Sequence, residues 1–136
     1  MTDADLVEKC KGLDFVAWRG GVPVFEIQGD GWNEVLWKYL ELMGRYASEL
    51  EVVVSIQQIK EKFGGLRLYY ELSGVPSTTG FQIAQDALDM LVLRAERECS
   101  TTCEYCGARC FDNPASVKGW VHKVCKACLV TLGAAS

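Results

Sequence analysis

The chain has little of what most enzymes use. One histidine, His122, occurs in 136 residues, so no second imidazole base is on offer and no Ser/His/Asp set can be read. Cys110 and His122 are both present, but nothing in the sequence marks them as a catalytic pair. Basic residues are outnumbered, 14 against 18 acidic, for a formal net charge of -4 and a pI of about 5.0. That balance argues against a generic nucleic-acid binder, which is usually basic. No apolar run approaches the roughly 18 residues that span a bilayer. The first residues, Met1-Thr2-Asp3-Ala4-Asp5, are acidic and lack the basic-then-apolar pattern of a secretory leader. The expectation is a cytoplasmic protein without membrane contact.

Cysteine, by contrast, is plentiful. There are seven, an odd number, and four fall in two Cys-x-x-Cys pairs: Cys103 with Cys106, and Cys125 with Cys128, eighteen residues apart. Four thiolates at this spacing match a structural zinc site. Each pair sets two sulfurs on one tight turn, and the spacer folds back to bring both pairs to one Zn2+ ion. Gly107 lets the first knuckle turn, and Cys125 and Cys128 are expected at the start of a short helix, whose N–H groups favour thiolate charge. A thioredoxin-like site would need its pair at a strand-to-helix junction in a βαβ unit. An iron–sulfur cluster would favour more compact cysteine runs, and catalytic zinc an open position with His, Asp or Glu ligands. Cys10, Cys99 and Cys110 are left over and read as small buried apolar groups. His122, three residues before Cys125, reads as a neighbour of the metal site or an alternative ligand to it, or else as an ordinary exposed or packed histidine.

The composition, 49% hydrophobic and 24% charged, is that of a globular domain. It divides unevenly. From Cys99 onward 4 basic residues face 2 acidic ones, so a mildly basic metal module follows an acidic body. We take residues 1–98 as the body and 99–136 as the module. Within the body, Ala4 to Cys10 predicts a short helix and Val22 to Ile27 an edge strand bounded by Pro23. After the turn Gly29-Asp30-Gly31, Trp32, Leu36, Tyr39, Leu40, Met43 and Ala47 recur at helical spacing, with Asp30 as the expected cap. Residues 51–72 predict a β-hairpin, two β-rich runs around Lys60-Glu61-Lys62-Phe63-Gly64-Gly65. Thr79 and Gln82 fit a capping box for a helix that presents Ala84, Ala87, Leu88, Leu91 and Ala95 and runs to about Glu98. The class is α+β, with helices on one face of a small antiparallel sheet and a C-terminal module of zinc-ribbon or treble-clef-like form. Trp18, Trp32, Trp37 and Trp120 are all expected in the core.

The hairpin also carries a cationic and aromatic cluster: Lys60, Lys62, Phe63, Gly64, Gly65, Arg67 and Tyr69. It reads as a partner- or anion-binding surface, or else as a solvated turn whose lysines guard a sheet edge. Its Gly-Gly is not a phosphate-cradling loop, because Gly-Lys-Ser/Thr and a following helix are missing.

Three strings together resemble a family of small, poorly characterised proteins of tailed phages and prophages. They are Gly29-Asp30-Gly31-Trp32, the run Ile59-Lys60-Glu61-Lys62-Phe63-Gly64-Gly65-Leu66-Arg67 leading into Tyr69-Tyr70, and Cys-x-x-Cys-Gly followed by Gly119-Trp120 and a second metal-binding pair. The resemblance spans roughly residues 25–130. The chain departs from it in the extra Cys110 and in a second pair that is Cys-Lys-Ala-Cys where the pattern also admits histidine. The resemblance implies an accessory protein acting in the cytoplasm of an infected bacterium. Combined with the missing catalytic set, it predicts a non-enzymatic protein that binds and blocks a host protein, such as a defence factor. The alternative is a zinc module that binds nucleic acid or a nucleotide.

Overall fold

The computed structural model describes residues 1–74 and 77–134. The chain runs α1 (Asp3–Lys11), β1 (Val16–Trp18), a 3-10 turn (Arg19–Gly21), α2 (Asn33–Leu50), β2 (Val53–Lys62), β3 (Gly65–Ser73), α3 (Thr78–Cys99), β4 (Ala115–Val117), β5 (Trp120–His122) and α4 (Lys126–Ala134). Thr2 and Asp5 cap α1 reciprocally. α2 and α3 bury the stripes expected of them, Leu36, Leu40, Met43 and Ala47 from one, Ala84, Leu88, Leu91 and Ala95 from the other. These meet Val54, Ile56, Ile59, Leu66 and Leu68 of the hairpin in one core.

The α+β class holds, and three local expectations need correction. The sheet is mixed rather than wholly antiparallel: β1 pairs parallel with β2, and β2 antiparallel with β3. α2 serves as the crossover between the two parallel strands, a non-local pairing that the short 16–18 segment does not announce. Further along the same edge of β2, Val22 to Ile27 contributes only a single bridge, Glu26 beside Lys60. The caps also differ. Asp30 supplies no side-chain cap to α2, and Ser77, not Thr79, accepts from the Gly80 N–H at the start of α3. Val75 and Pro76, in the loop that the sequence Ser73-Gly74-Val75-Pro76-Ser77 predicts between β3 and α3, lie outside the described residues.

The hairpin turn is tighter than expected. Phe63 and Gly64 alone connect the strands, both with positive φ (54° and 80°), the geometry of a two-residue type I′ turn. A bulge lies between Ile56 and Gln58. Its consequence is a change of parity. Val54 and Ile56 face the core, and so do Ile59 and Glu61. A regular strand would have turned Gln58 and Lys60 inward instead, because side chains alternate strictly. The bulge therefore sends a carboxylate inward at the end of β2 and leaves Lys60 and Arg67, paired directly across the strands, on the opposite face.

Candidate metal centre and adjoining cleft

Cys103 and Cys106 sit on a knuckle closed by the Gly107 N–H donating to the Cys103 carbonyl at 3.0 Å. Gly107 takes φ 78°, which a side chain would resist. Cys125 precedes α4, and Cys128 lies in its first turn. The order is knuckle, hairpin β4–β5, helix, so the second pair comes from a helix start rather than a second hairpin. That is the treble-clef-like of the two expected forms. All four sulfurs lie within 4.8 Å of one another, and those of Cys106 and Cys125 are 3.7 Å apart. Ligands of a tetrahedral Zn–S site are separated by about 3.8 Å, so the donor set and its spacing fit a zinc module.

The local electrostatics favour thiolate at Cys103 and oppose it at Cys106 and Cys128. Burial opposes ionisation of Cys103, but the N–H groups of Cys106, Cys125 and Tyr105 outweigh it and bring its pKa down to about 7. Cys125 N–H lies 3.4 Å from the Cys103 sulfur, and Cys128 N–H 3.5 Å from that of Cys125. Burial and the neighbouring Cys125 and Cys106 thiols push Cys128 well up. A bound dication reverses that direction, since a coordinating thiol gives up its proton. The three remaining cysteines are buried, Cys10 and Cys99 in the main core and Cys110 in the module's own small one. Burial raises Cys10 to about 12, so it is an inert thiol at neutral pH.

The module is joined to the body through the Gly29-Asp30-Gly31-Trp32 string. The Gly31 N–H donates to the Glu104 carbonyl at 2.8 Å, and Trp32 Nε1–H to the Thr102 carbonyl at 2.8 Å. A Cβ on Gly31 would lie 2.2 Å from the Cys103 carbonyl oxygen, and one on Gly29 2.5 Å from that of Glu104. No side chain fits there. Gly64 repeats the theme, where a Cβ would lie 2.8 Å from Pro114. Much of what makes these strings specific is thus explained by close approach of the body to the module.

The seam creates a cleft of about 610 Å³, lined by Glu26, Gln28, Glu61, Lys62, Phe63, Gly119, Trp120, Val121 and His122. Phe63 stands at the tip of β2–β3. Trp120 flanks the turn of β4–β5, in which Lys118 and Gly119 again both have positive φ. Trp120 is therefore not a core residue, as expected from the sequence, but 75% exposed, and Phe63 is 70% exposed. Of the expected hairpin cluster, Lys62 and Phe63 line this cleft. Gly64 is packed beneath the module, and Lys60, Arg67 and Tyr69 belong to the strand pairs beyond it. Lys62 Nζ rests 5.6 Å from the Phe63 ring centroid.

Behind the cleft is an arrangement that the sequence did not suggest. His122 Nδ1 is 2.9 Å from Glu104 Oε2 and 3.6 Å from Glu61 Oε1. Glu104, the residue after Cys103, is completely buried. Burial pushes its pKa up, His122 draws it down, and Glu61 adds to the rise, for a net upward direction. His122 is thus neither a surface group nor one of the four clustered thiol ligands, but a buried partner of two carboxylates. Its place three residues before Cys125 pointed to a neighbour of the metal; nothing local pointed to Glu61.

Comparison with family models, with curated proteins and with solved structures gave no match to this chain. Among the described residues no helix is long and apolar enough to cross a membrane.

Proposed function

We propose that the protein works by stoichiometric binding to a partner protein, with Zn2+ at Cys103, Cys106, Cys125 and Cys128 as a structural ion. The observation that carries this reading is the pair Phe63 and Trp120, two large aromatic side chains exposed at neighbouring hairpin turns on either side of one cleft. Exposed aromatics around a concave site are the groups that dominate protein–protein binding energy. The cleft carries Glu26 and Glu61 beside the single cation Lys62, so it is not a basic cradle for phosphate, which favours an apolar side chain of a protein over a nucleotide. The zinc site is closed, so it holds the walls of the cleft in place and offers no position to a substrate. Joined to the resemblance, this makes the protein a cytoplasmic phage accessory factor that occupies and blocks a host protein, plausible targets including defence factors.

A second reading, nucleic-acid or nucleotide binding, draws on Lys60 opposite Arg67, with Tyr69 opposite Gln58 two rungs along. Cations beside an aromatic can hold a backbone and stack a base.

The test is to capture a partner from bacterial lysate with the zinc-loaded protein, purify it, and titrate it by calorimetry against wild type and the Phe63→Ala/Trp120→Ala variant. The reading expects one-to-one binding that is weakened at least tenfold in the variant and changes little with salt. Affinity for nucleic acid that falls log-linearly with salt, and is lost on replacing Lys60 and Arg67 instead, would establish the second reading. Full effect at a hundredth of an equivalent, with a chemically altered target, would make the protein an enzyme and overturn both.

A further inference from the structure

We propose that Glu61, Glu104 and His122 form a second metal site, for a hard or borderline divalent first-row cation, separate from the four thiolates and bordering the cleft. One ligand atom from each residue lies within 4.8 Å of the other two. They arrive from three places: the end of β2, the first knuckle and β5. The bulge before Ile59 is what turns Glu61 toward the other two. Bonds of about 2.0–2.2 Å from one ion to N and O donors place those donors roughly 3–3.5 Å apart. The observed 2.9 and 3.6 Å bracket that spacing.

All three side chains are shielded from water: those of His122 and Glu61 are only 6% and 12% exposed, and Glu104 not at all. Carboxylates so placed call for a cation or a proton between them, and the ammonium groups of Lys123 and Lys62 are engaged elsewhere, on the Asp112 carbonyl and over Phe63. The carboxylates are also oriented from behind. Gln28 N–H donates to Glu104 Oε1 at 3.3 Å, leaving Oε2 for the ion, and Gly64 N–H donates to Glu61 Oε1 at 2.7 Å. Such outer hydrogen bonds are what fix ligating carboxylates. One nitrogen and two oxygens suit Mn2+, Fe2+, Co2+ or Zn2+, whereas the four sulfurs select zinc. Three protein ligands leave open positions, and Glu61 and His122 both line the cleft.

The chain has a single histidine, so its imidazole proton signals report on this site alone. The experiment adds Mn2+ to protein already carrying one zinc per chain, and follows those signals by NMR and free Mn2+ by electron paramagnetic resonance. One equivalent of Mn2+ should bind and broaden the His122 signals. Glu61→Gln, which keeps an acceptor for the Gly64 N–H, should weaken binding by about tenfold or more while the zinc count stays at one. Signals untouched by millimolar Mn2+ would overturn the proposal and leave a hydrogen-bonded triad. Equal broadening in the Glu61→Gln variant would overturn it too, since the ion would then sit elsewhere. Should that variant fail to fold, Co2+ decides on the wild type. Weak visible bands without sulfur-to-cobalt charge transfer support an oxygen and nitrogen site, and charge-transfer bands with zinc release overturn it.

Discussion

The body and the module are folded by different means. The body gathers two helical stripes and a hairpin face around fully buried side chains such as Trp32, Leu40, Met43, Ile59 and Leu88. Among the described residues the module's apolar core consists of Cys103, Cys110, Val117 and Val124, with a few partly covered neighbours. A segment that short cannot assemble an adequate apolar core and needs a staple. The body should be stable on apolar burial alone, while the module should depend on an ion held by its four cysteines. They are coupled by a strip of backbone, residues 28–32 against 102–105, where glycine permits contact, and again where Gly64 meets Pro114 and Glu61 meets His122.

The largest effect should come from the ion. Chelation, or Cys128→Ser, removes on the order of 10 kcal/mol of metal-linked folding energy from the module. Limited proteolysis should then cut within residues 99–134 while residues 25–95 stay protected and elemental analysis loses one zinc per chain. Loss of the body in the same step would break the distinction and make the molecule one cooperative unit. The converse experiment is Leu40→Ala in the body. Emptying a fully buried leucine site should cost about 2–5 kcal/mol in urea unfolding, with the zinc count unchanged at temperatures where the body remains folded.

A smaller change addresses the coupling itself. Gly31→Ala forces a methyl group against the Cys103 carbonyl and should cost roughly 1–3 kcal/mol by overpacking. Hydrogen exchange should rise at Gly31 and around Glu104, on both sides of the seam, and not in the centre of α3. Exchange unchanged at the seam would mean that the two parts are joined elsewhere.

The smallest expected effect lies within the body, at the tie between its two long helices. Glu98 accepts from Lys38 at 2.6 and 2.7 Å and from Tyr39 at 2.8 Å. Burial acts to raise its pKa, but those bonds win and hold it below the ordinary 4.5. A carboxylate depressed in the folded state adds stability above its unfolded pKa, and that contribution fades as pH falls through the folded value. Glu98→Gln should therefore be less stable than wild type at pH 7, by no more than roughly 1 kcal/mol for so exposed a pair. The gap should close as pH drops below 4.5. A gap that widened in acid would place the stabilising charge on another group.

What was legible in the sequence has a local cause. Two Cys-x-x-Cys turns state their own geometry, and the stripes from Leu36 to Ala47 and from Ala84 to Ala95 repeat every three or four residues. The Gly64-Gly65 pair between β-rich runs likewise announces a hairpin, although the turn itself falls at Phe63-Gly64. These signals need only neighbours within a turn or a strand pair. Tertiary structure decided the rest. The parallel pairing of β1 depends on a strand supplied after a whole helix. The roles of Gly29, Gly31 and Gly64 depend on backbone from the far end of the chain, which no local pattern reveals. One extra residue at the bulge sets whether Glu61 or Lys60 faces inward, and alternation alone could not decide it. Trp120 looks like core by composition, yet it flanks a two-residue turn where no layer remains to cover it. The Glu61, Glu104 and His122 cluster exists only because three such elements converge, and its chemistry is a property of that meeting rather than of any one segment.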